Sequence, residues 1–335
     1  MKILWTHNFN KDLDNNAGVF MFNTAIGLKG LGVNLELEYL GDLRSPANIL
    51  KAQKHVKKIS KDFDLVHAQY GSACAIATST VKDCPKVLSL RGSDWNVHTA
   101  SFGLLYWHTR VAKLMTRLAV ERYDLVITVS NRMVLDLRQK FPKVRFIAFP
   151  SPINLDGFVP VDKEQARLLL GFPNNKEKWI LFTSENRNNP IKRYSLARQT
   201  VDLANAKLGN IRMRVASGLP HSEIPLFVAA CDLILCTSVN EGWPNSVKEA
   251  LACNVPFVST DVSDLSIIAS QEPSCRICPP DAAVLAENIC DVISTQRPEN
   301  LRRHVIEMDV RTISERLLDL YMDLVSRKRS GLRLA

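Results

Sequence analysis

No apolar run in this 335-residue chain approaches the 18 or more residues that a bilayer-spanning helix needs, so no membrane crossing is expected. Met1-Lys2-Ile3-Leu4-Trp5 gives way at once to polar residues, so no signal-peptide core is read there and a cytoplasmic location is expected. A second CxxC pair is missing. Cys275 and Cys278 stand alone in that spacing, and a structural zinc site usually takes two such pairs. The eight cysteines are therefore read as reduced thiols, and no metal-ligand cluster is seen. Acidic residues are in the minority, 34 against 43 Lys and Arg, which leaves a net charge of +9 and implies an anionic partner. Nucleic acid is not the expected partner, because the basic stretches lack interleaved aromatics and no recognised binding module is present.

What is present is a soluble composition, 46% hydrophobic and 23% charged, in a chain long enough for two domains. Short apolar runs at 3–6, 33–39, 65–68, 87–90, 125–129 and 145–148 alternate with helical patterns near 18–30, 49–61, 72–82, 102–122 and 131–140. Such alternation predicts a parallel, doubly wound sheet. Phe149-Pro150-Ser151-Pro152-Ile153 interrupts it, since two prolines deny both helix and interior strand. Strands resume at 179–183, 211–216, 233–236, 257–260 and 276–278, with a helix over 281–293 behind Pro279-Pro280. The expectation is an α/β chain of two Rossmann-like domains, 1–150 and 151–310, with a C-terminal helix in 311–335 that packs back on the first.

The most informative stretch runs from Cys236 to Thr260. It reads as a buried strand, a loop carrying Glu241-Gly242-Trp243-Pro244, a helix opening at Asn245, and a second strand. Ligands of open α/β sheets bind at the carboxyl ends of strands, and the N–H groups of a helix start attract phosphate. Pro244 has no N–H, which leaves the amides of Asn245 and Ser246 for an anion. Glu241 and, eight positions on, Glu249 would repel a phosphate, so both are read as acceptors for the hydroxyls of a sugar or ribose.

This segment resembles the nucleotide-sugar motif of retaining glycosyltransferases of family four, which have the GT-B fold. The pattern reads here as Glu241-Gly242-Trp243-Pro244, Glu249-Ala250 and Val255-Pro256-Phe257-Val258. The resemblance implies two doubly wound domains facing a cleft. It implies donor-sugar contacts for Glu241, ribose contacts for Glu249, and nucleotide contacts for Gly242, Asn245 and Ser246. The polar turn Ser184-Glu185-Asn186-Arg187-Asn188-Asn189-Pro190-Ile191-Lys192 follows another strand, and the resemblance implies that Arg187 and Lys192 clamp the donor diphosphate. Two cations there would stabilise the charge that grows on the leaving group, without a metal.

Other positions carry weaker signals. The family has a glycine-rich turn after the first strand, where this chain has only Gly18 in Asp14-Asn15-Asn16-Ala17-Gly18. Where the family reads His-Gly-Ser-Asp, this chain reads Arg91-Gly92-Ser93-Asp94, so Arg91, Asp94 and His98 are candidate donor or acceptor contacts. Lys51, Lys54, Lys58 and Lys61 form one basic stripe at helical spacing, as does Arg110-Lys113-Arg117 after an aromatic run. The first is read as an anionic-membrane contact or a solvated face, and the second as an interface or a buried helix.

The implied activity is transfer of a hexosyl-type group from a nucleotide-diphospho-sugar, a UDP-sugar first, to a glycan or lipid-linked acceptor, with retention and without a metal. That places the chain in cell-surface polysaccharide synthesis, cytoplasmic or peripheral at the inner face of the plasma membrane. A nucleotide-sugar epimerase of the same fold, a phosphorylase and a non-catalytic anion-binding protein are the competing readings. A phosphorylase needs a longer chain and a cofactor lysine.

Overall fold

A computed structural model describes residues 1–10, 18–96, 104–172, 176–184, 186–216 and 222–331. The chain divides into two compact units, Met1–Pro152 with Val310–Ala335, and Ile153–Asp309.

The first unit holds six parallel strands: β1 (Lys2–His7), β2 (Asn34–Tyr39), β3 (Leu65–Ala68), β4 (Lys86–Leu90), β5 (Leu125–Thr128) and β6 (Phe146–Ala148). Their order across the sheet is β2-β1-β3-β4-β5-β6. All four residues of β3 and of β5 are buried, as expected where helices cover both faces. The helices between them are α1 (Val19–Gly30), α2 (Pro46–Ile59), α3 (Ser72–Thr78), α4 (Leu104–Val120) and α5 (Asn131–Lys140). Local chemistry marks their starts. Ser45 accepts from the Asn48 amide with Pro46 in the first turn, and Ser130 accepts from the Met133 amide. Ile49, Ala52 and Val56 of α2 are buried, and Val56 joins a cluster with Leu4, Phe63, Val66, Val81 and Cys84. The apolar face of α2 is therefore core, and its lysines are left to solvent.

The second unit holds β7 (Lys178–Phe182), β8 (Ile211–Val215), β9 (Leu233–Cys236), β10 (Phe257–Thr260) and β11 (Arg276–Cys278), all parallel, in the order β11-β10-β9-β7-β8. Its helices are α6 (Lys163–Leu169), α7 (Tyr194–Leu208), α8 (Ile224–Ala229), α9 (Asn245–Ala252), α10 (Leu265–Ala269) and α11 (Ala282–Ser294). Asp281 caps α11 by accepting from the amides of Ala283 and Val284. Two parallel doubly wound α/β units are thus present, as the alternation of runs predicts.

The last helix, α12 (Val310–Arg329), returns to the first unit and packs on α1. A Cβ on Gly27 of α1 would collide with the Ser314 side chain of α12, so the glycine leaves room for the close approach of the two helices. Tyr321 of α12 is fully buried and accepts from Trp5 Nε1 at 3.1 Å. Its hydroxyl also bonds His67 Nδ1, and His67 Nε2 bonds Ser89 Oγ at 2.8 Å. Both ring nitrogens of His67 are thus partnered, one by Tyr321 and the other by Ser89. Burial holds His67 well below its ordinary 6.5.

Candidate functional site

Two loops meet at the carboxyl ends of β7 and β9, which are neighbours in the sheet. The loop after β7 is built by asparagines. Asn186 Oδ1 accepts from the Asn188 amide at 2.9 Å, and Asn189 Oδ1 from the Ile191 amide at 3.0 Å. Arg193 then takes a left-handed conformation, φ 49°, to turn the chain into α7. The loop after β9 is sewn to it. Thr237 Oγ1 donates to the Lys192 carbonyl at 2.7 Å, and the Val239 amide donates to the Ile191 carbonyl at 2.8 Å.

This stitching brings Lys192 to Glu241. Lys192 Nζ lies 2.6 Å from Glu241 Oε1, and Ser238 Oγ donates to the same oxygen at 2.7 Å. Both side chains keep some solvent access, 29% and 17%. The pair combines one candidate cation and one candidate hydroxyl acceptor, 49 residues apart in sequence. Thr260 Oγ1 and Ser263 Oγ brace the loop from β10 by donating to the carbonyls of Ser238 and Gly242 at 2.6 and 2.7 Å. Ser238, Thr237 and Ser263 were not among the sequence candidates. A hydroxyl residue in a loop announces nothing by itself, and only the fold aims it.

Beyond Gly242, Pro244 leads into α9 with no side chain capping the helix. Asn245 is exposed and Ser246 half-buried at its first two positions. Glu249, one turn in, is half-buried and makes no hydrogen bond or ion pair with the described residues. Burial raises its carboxyl above the ordinary 4.5, with Lys248 pulling the other way. Lys248 is itself wholly buried, with Nζ 5.7 Å from the Trp243 ring.

Arg187 is not part of the Lys192–Glu241 pair. Its guanidinium lies 5.4 Å from the Tyr194 ring. With Tyr194, Arg198, Met213, Arg214, Val215 and Phe227 it lines a cavity of about 350 Å³, the lower end of the range for small-molecule pockets.

In the first unit three of the candidate positions have structural partners. Asp94 is one of them. It is 0% exposed, and its carboxylate accepts from the amides of Gly71, Arg91 and Gly92 at 2.9 Å each, so it holds the loops after β3 and β4 together. Gly18 is explained by the backbone. It has φ 71°, and a Cβ there would lie 2.8 Å from the Phe9 ring. Arg91 is enclosed. Its Nη2 donates to Gln69 Oε1 at 3.0 Å and its guanidinium lies 4.4 Å from the Phe20 ring. Burial lowers Arg91 to about 10, with Asp94 acting against that shift. His98 lies outside the described residues, as do Asp14 to Ala17 and Glu185.

All eight cysteines are free thiols. No group of three or more His, Cys, Asp or Glu among the described residues is gathered as a metal site.

Comparison with known proteins adds two family matches. Residues 6–156 match the model described as Glycosyltransferase Family 4, and residues 192–295 match Glycosyl transferases group 1. The chain is 28% identical over 243 residues to TuaC of Bacillus subtilis (strain 168), whose name assigns it to teichuronic acid biosynthesis as a glycosyltransferase. That match covers 68% of this chain and 60% of the relative. Among solved structures, a sucrose-phosphate synthase from Thermosynechococcus elongatus superposes with a TM-score of 0.78 at 14% identity, covering 97% of this chain and all of that one. HepE of Anabaena, in complex with UDP and glucose, superposes at 0.67 with 17% identity over 97% of this chain and all of HepE. The fold is GT-B.

Proposed function

Since this chain belongs to glycosyltransferase family four, we propose that it moves a sugar from a nucleoside-diphospho-sugar to a glycan or lipid-linked acceptor, with retention of anomeric configuration. The observation that carries the reading is the Lys192–Glu241 pair beside the uncapped start of α9, at the carboxyl edge of the second sheet. On this reading Lys192 meets the leaving diphosphate. Its charge gains most as the sugar–phosphate bond breaks and negative charge grows on the phosphate oxygens. The ion pair with Glu241 and the Thr237 bond to the Lys192 carbonyl hold the side chain in place beforehand, so little reorganisation is needed.

Glu241, oriented by Lys192 and Ser238, accepts from donor-sugar hydroxyls. Gly242, Asn245 and Ser246 present backbone to the phosphates at a helix start, where the partial positive charge favours an anion. Glu249 accepts from the ribose, an assignment supported by a half-buried carboxylate to which no described residue donates. Arg187 supplies a second cation at its own cavity, the size of which suits part of a nucleotide. The attacking hydroxyl would approach on the face the diphosphate leaves, and the diphosphate would take its proton. UDP is the favoured nucleotide, because HepE, TarM and GtfA are neighbours solved in complex with it. Lys51, Lys54 and Lys58, exposed along α2, and Lys61 just after it support contact of the first unit with an anionic surface.

A thermal-shift screen against UDP-, GDP-, ADP- and CMP-sugars tests the reading, because a ligand that binds only the native state raises its melting temperature. The expected result is a clear rise with one nucleotide class and sugar transfer that survives EDTA. No shift with any of them would overturn the donor site. Loss of transfer in EDTA with rescue by magnesium would overturn the metal-free mechanism.

A further inference from the structure

Two buried side-chain nitrogens of the first unit, Gln69 Nε2 and Arg91 Nε, have no hydrogen-bond acceptor. Gln69 is 0% exposed, and its Oε1 accepts from Arg91 Nη2 at 3.0 Å. That bond fixes the amide, because the reverse orientation would set two donors against each other. Nε2 with its two hydrogens is left over, and Arg91 Nε adds a third N–H group in the same state. Buried donors without acceptors are costly and rare in folded proteins.

Both residues line one small cavity. Its walls come from β1, β3, β4 and β5, from α1 and α12, and from the turn after β6, all within the first unit. Its volume is about 20 Å³, somewhat above the roughly 10–15 Å³ that a single water takes up. A carboxylate or a phosphate is too large for it. Trp5, Ile127, Phe149 and Ile313 give it apolar surface, and no Asp or Glu lines it among the described residues. His67 also lines it, but both of its ring nitrogens are partnered, and burial with the nearby Arg91 charge keeps it neutral.

Charge decides what such a cavity takes. Arg91 is a cation at neutral pH even though burial lowers it to about 10. Asp94 attracts it, but the Asp94 oxygens accept from the amides of Gly71, Arg91 and Gly92, and no carboxylate among the described residues bonds to the guanidinium. A water would accept from the free N–H groups and leave this charge uncompensated. A monatomic anion accepts from the same groups and balances the charge as well. Arg91 is also the position at which the motif resembled here reads His, and a neutral His needs no counter-ion.

We propose that Gln69 and Arg91 bind one monatomic anion, of the size and charge of chloride, in this cavity of the first unit. The site goes beyond the transfer reading and stands without it, because it is measured with no nucleotide present.

The test titrates the full chain with chloride against gluconate at constant ionic strength. The melting temperature should rise and then saturate with chloride and with bromide, because a ligand that binds only the native state stabilises it. Sulfate should give no saturable step, only the gradual rise that excluded salts give any protein. Crystals grown in bromide should show an anomalous peak at hydrogen-bond distance from Gln69 Nε2 and Arg91 Nε. Gln69→Leu removes two donors and should weaken chloride about tenfold or more, read from the midpoint of the titration. Gln69→Glu supplies the negative charge within the chain, so its melting temperature should no longer respond to chloride. If neither variant folds, the bromide map and the wild-type titration decide.

Any of four outcomes would overturn the proposal. One is density at the site without anomalous signal, which would make the occupant water. The second is a wild-type titration with no saturable step. The third is an equal step in Gln69→Leu, which would place the anion elsewhere. The fourth is a bromide peak with no step in solution, an adventitious ion only. A failed donor screen with an intact chloride step would refute the donor site and leave the anion site standing.

Discussion

Glu249 offers the sharpest test, because its two expected effects have opposite signs. Its carboxylate is enclosed enough for burial to raise its proton affinity, yet no described residue bonds to it. In the unliganded protein this is a cost. A folded-state value above the ordinary 4.5 means that the folded protein holds the proton more tightly than the unfolded chain. Stability therefore falls as pH rises from 4.5 through the raised value, and the deficit persists above it. Glu249→Gln removes the charge and nearly keeps the volume, so the nucleotide-free variant should melt above the wild type at neutral pH. The gap should close as pH approaches 4.5.

With nucleotide the sign reverses. Glu249→Ala deletes the acceptor for a ribose hydroxyl, and a hydrogen bond to a charged group contributes about 1.5–3 kcal/mol. At 1.4 kcal/mol per tenfold, affinity for the free nucleotide should fall about ten- to a hundredfold. Glutamine retains a neutral acceptor and should lose less. Calorimetric titration measures the affinity, and nucleotide-free thermal melts from pH 4.5 to 8 measure the stability. Unchanged affinity in Glu249→Ala would remove this residue from the nucleotide site. A less stable Glu249→Gln at neutral pH would show that its charge is compensated after all.

The remaining predictions concern the loop cation, the buried histidine and the α2 stripe. Lys192→Ala should lower kcat by about a hundred- to a thousandfold with a smaller rise in donor KM; a pure KM effect in steady-state assays would reduce Lys192 to a binding residue. Folding holds His67 neutral below its ordinary 6.5, so the unfolded chain takes up a proton there that the folded one refuses. Stability should therefore decline as pH drops below 6.5, and less steeply in His67→Asn, by melts that compare slopes and not absolute values. Equal slopes would show that other groups govern the acid limb. Reversing Lys54, Lys58 and Lys61 to Glu should weaken binding to anionic vesicles, since each basic residue near such a surface contributes about 1 kcal/mol. The nucleotide-induced thermal shift should survive; its loss would mean that α2 supports the donor site.

Much of the fold was legible because its signals are local. Leu65–Ala68, Leu233–Cys236, Phe257–Thr260 and Arg276–Cys278 are short apolar runs bounded by polar turns, and each is a strand with those bounds. Asn131–Lys140 is likewise a helix over its periodic stretch, and Asn245 opens α9 straight after Pro244. The short helices α6, α8 and α10 span five to seven residues, too few for a periodic pattern to stand out. At the site, Glu241 and Lys192 were legible as residue types in a strand–loop–helix setting. Their contact was not, nor were the hydroxyls of Thr237, Ser238 and Ser263 that orient the loops. Asp94 was legible as a polar residue in a loop, but its hold on two loops was not. Three backbone amides converge on it from two different loops, and that convergence has no signature along the chain.

The sequence by itself therefore determined the alternation of strands and helices, the break at Pro150 and Pro152, and the chemistry available at the carboxyl edge of the second sheet. These follow from periods of two and 3.6 residues, from caps and from prolines, all of which act within a few residues. Tertiary structure alone decided which side chains meet. Lys192 reaches Glu241 across 49 residues because neighbouring parallel strands align the loops that follow them, and Tyr321 reaches His67 across 254 because α12 returns to pack on the first unit. It also decided which apolar stripes are covered. The pattern of α4 reads equally as core or as interface; only packing against the sheet shows that one face was already buried and that Trp107, Val111, Leu114 and Leu118 were left outside.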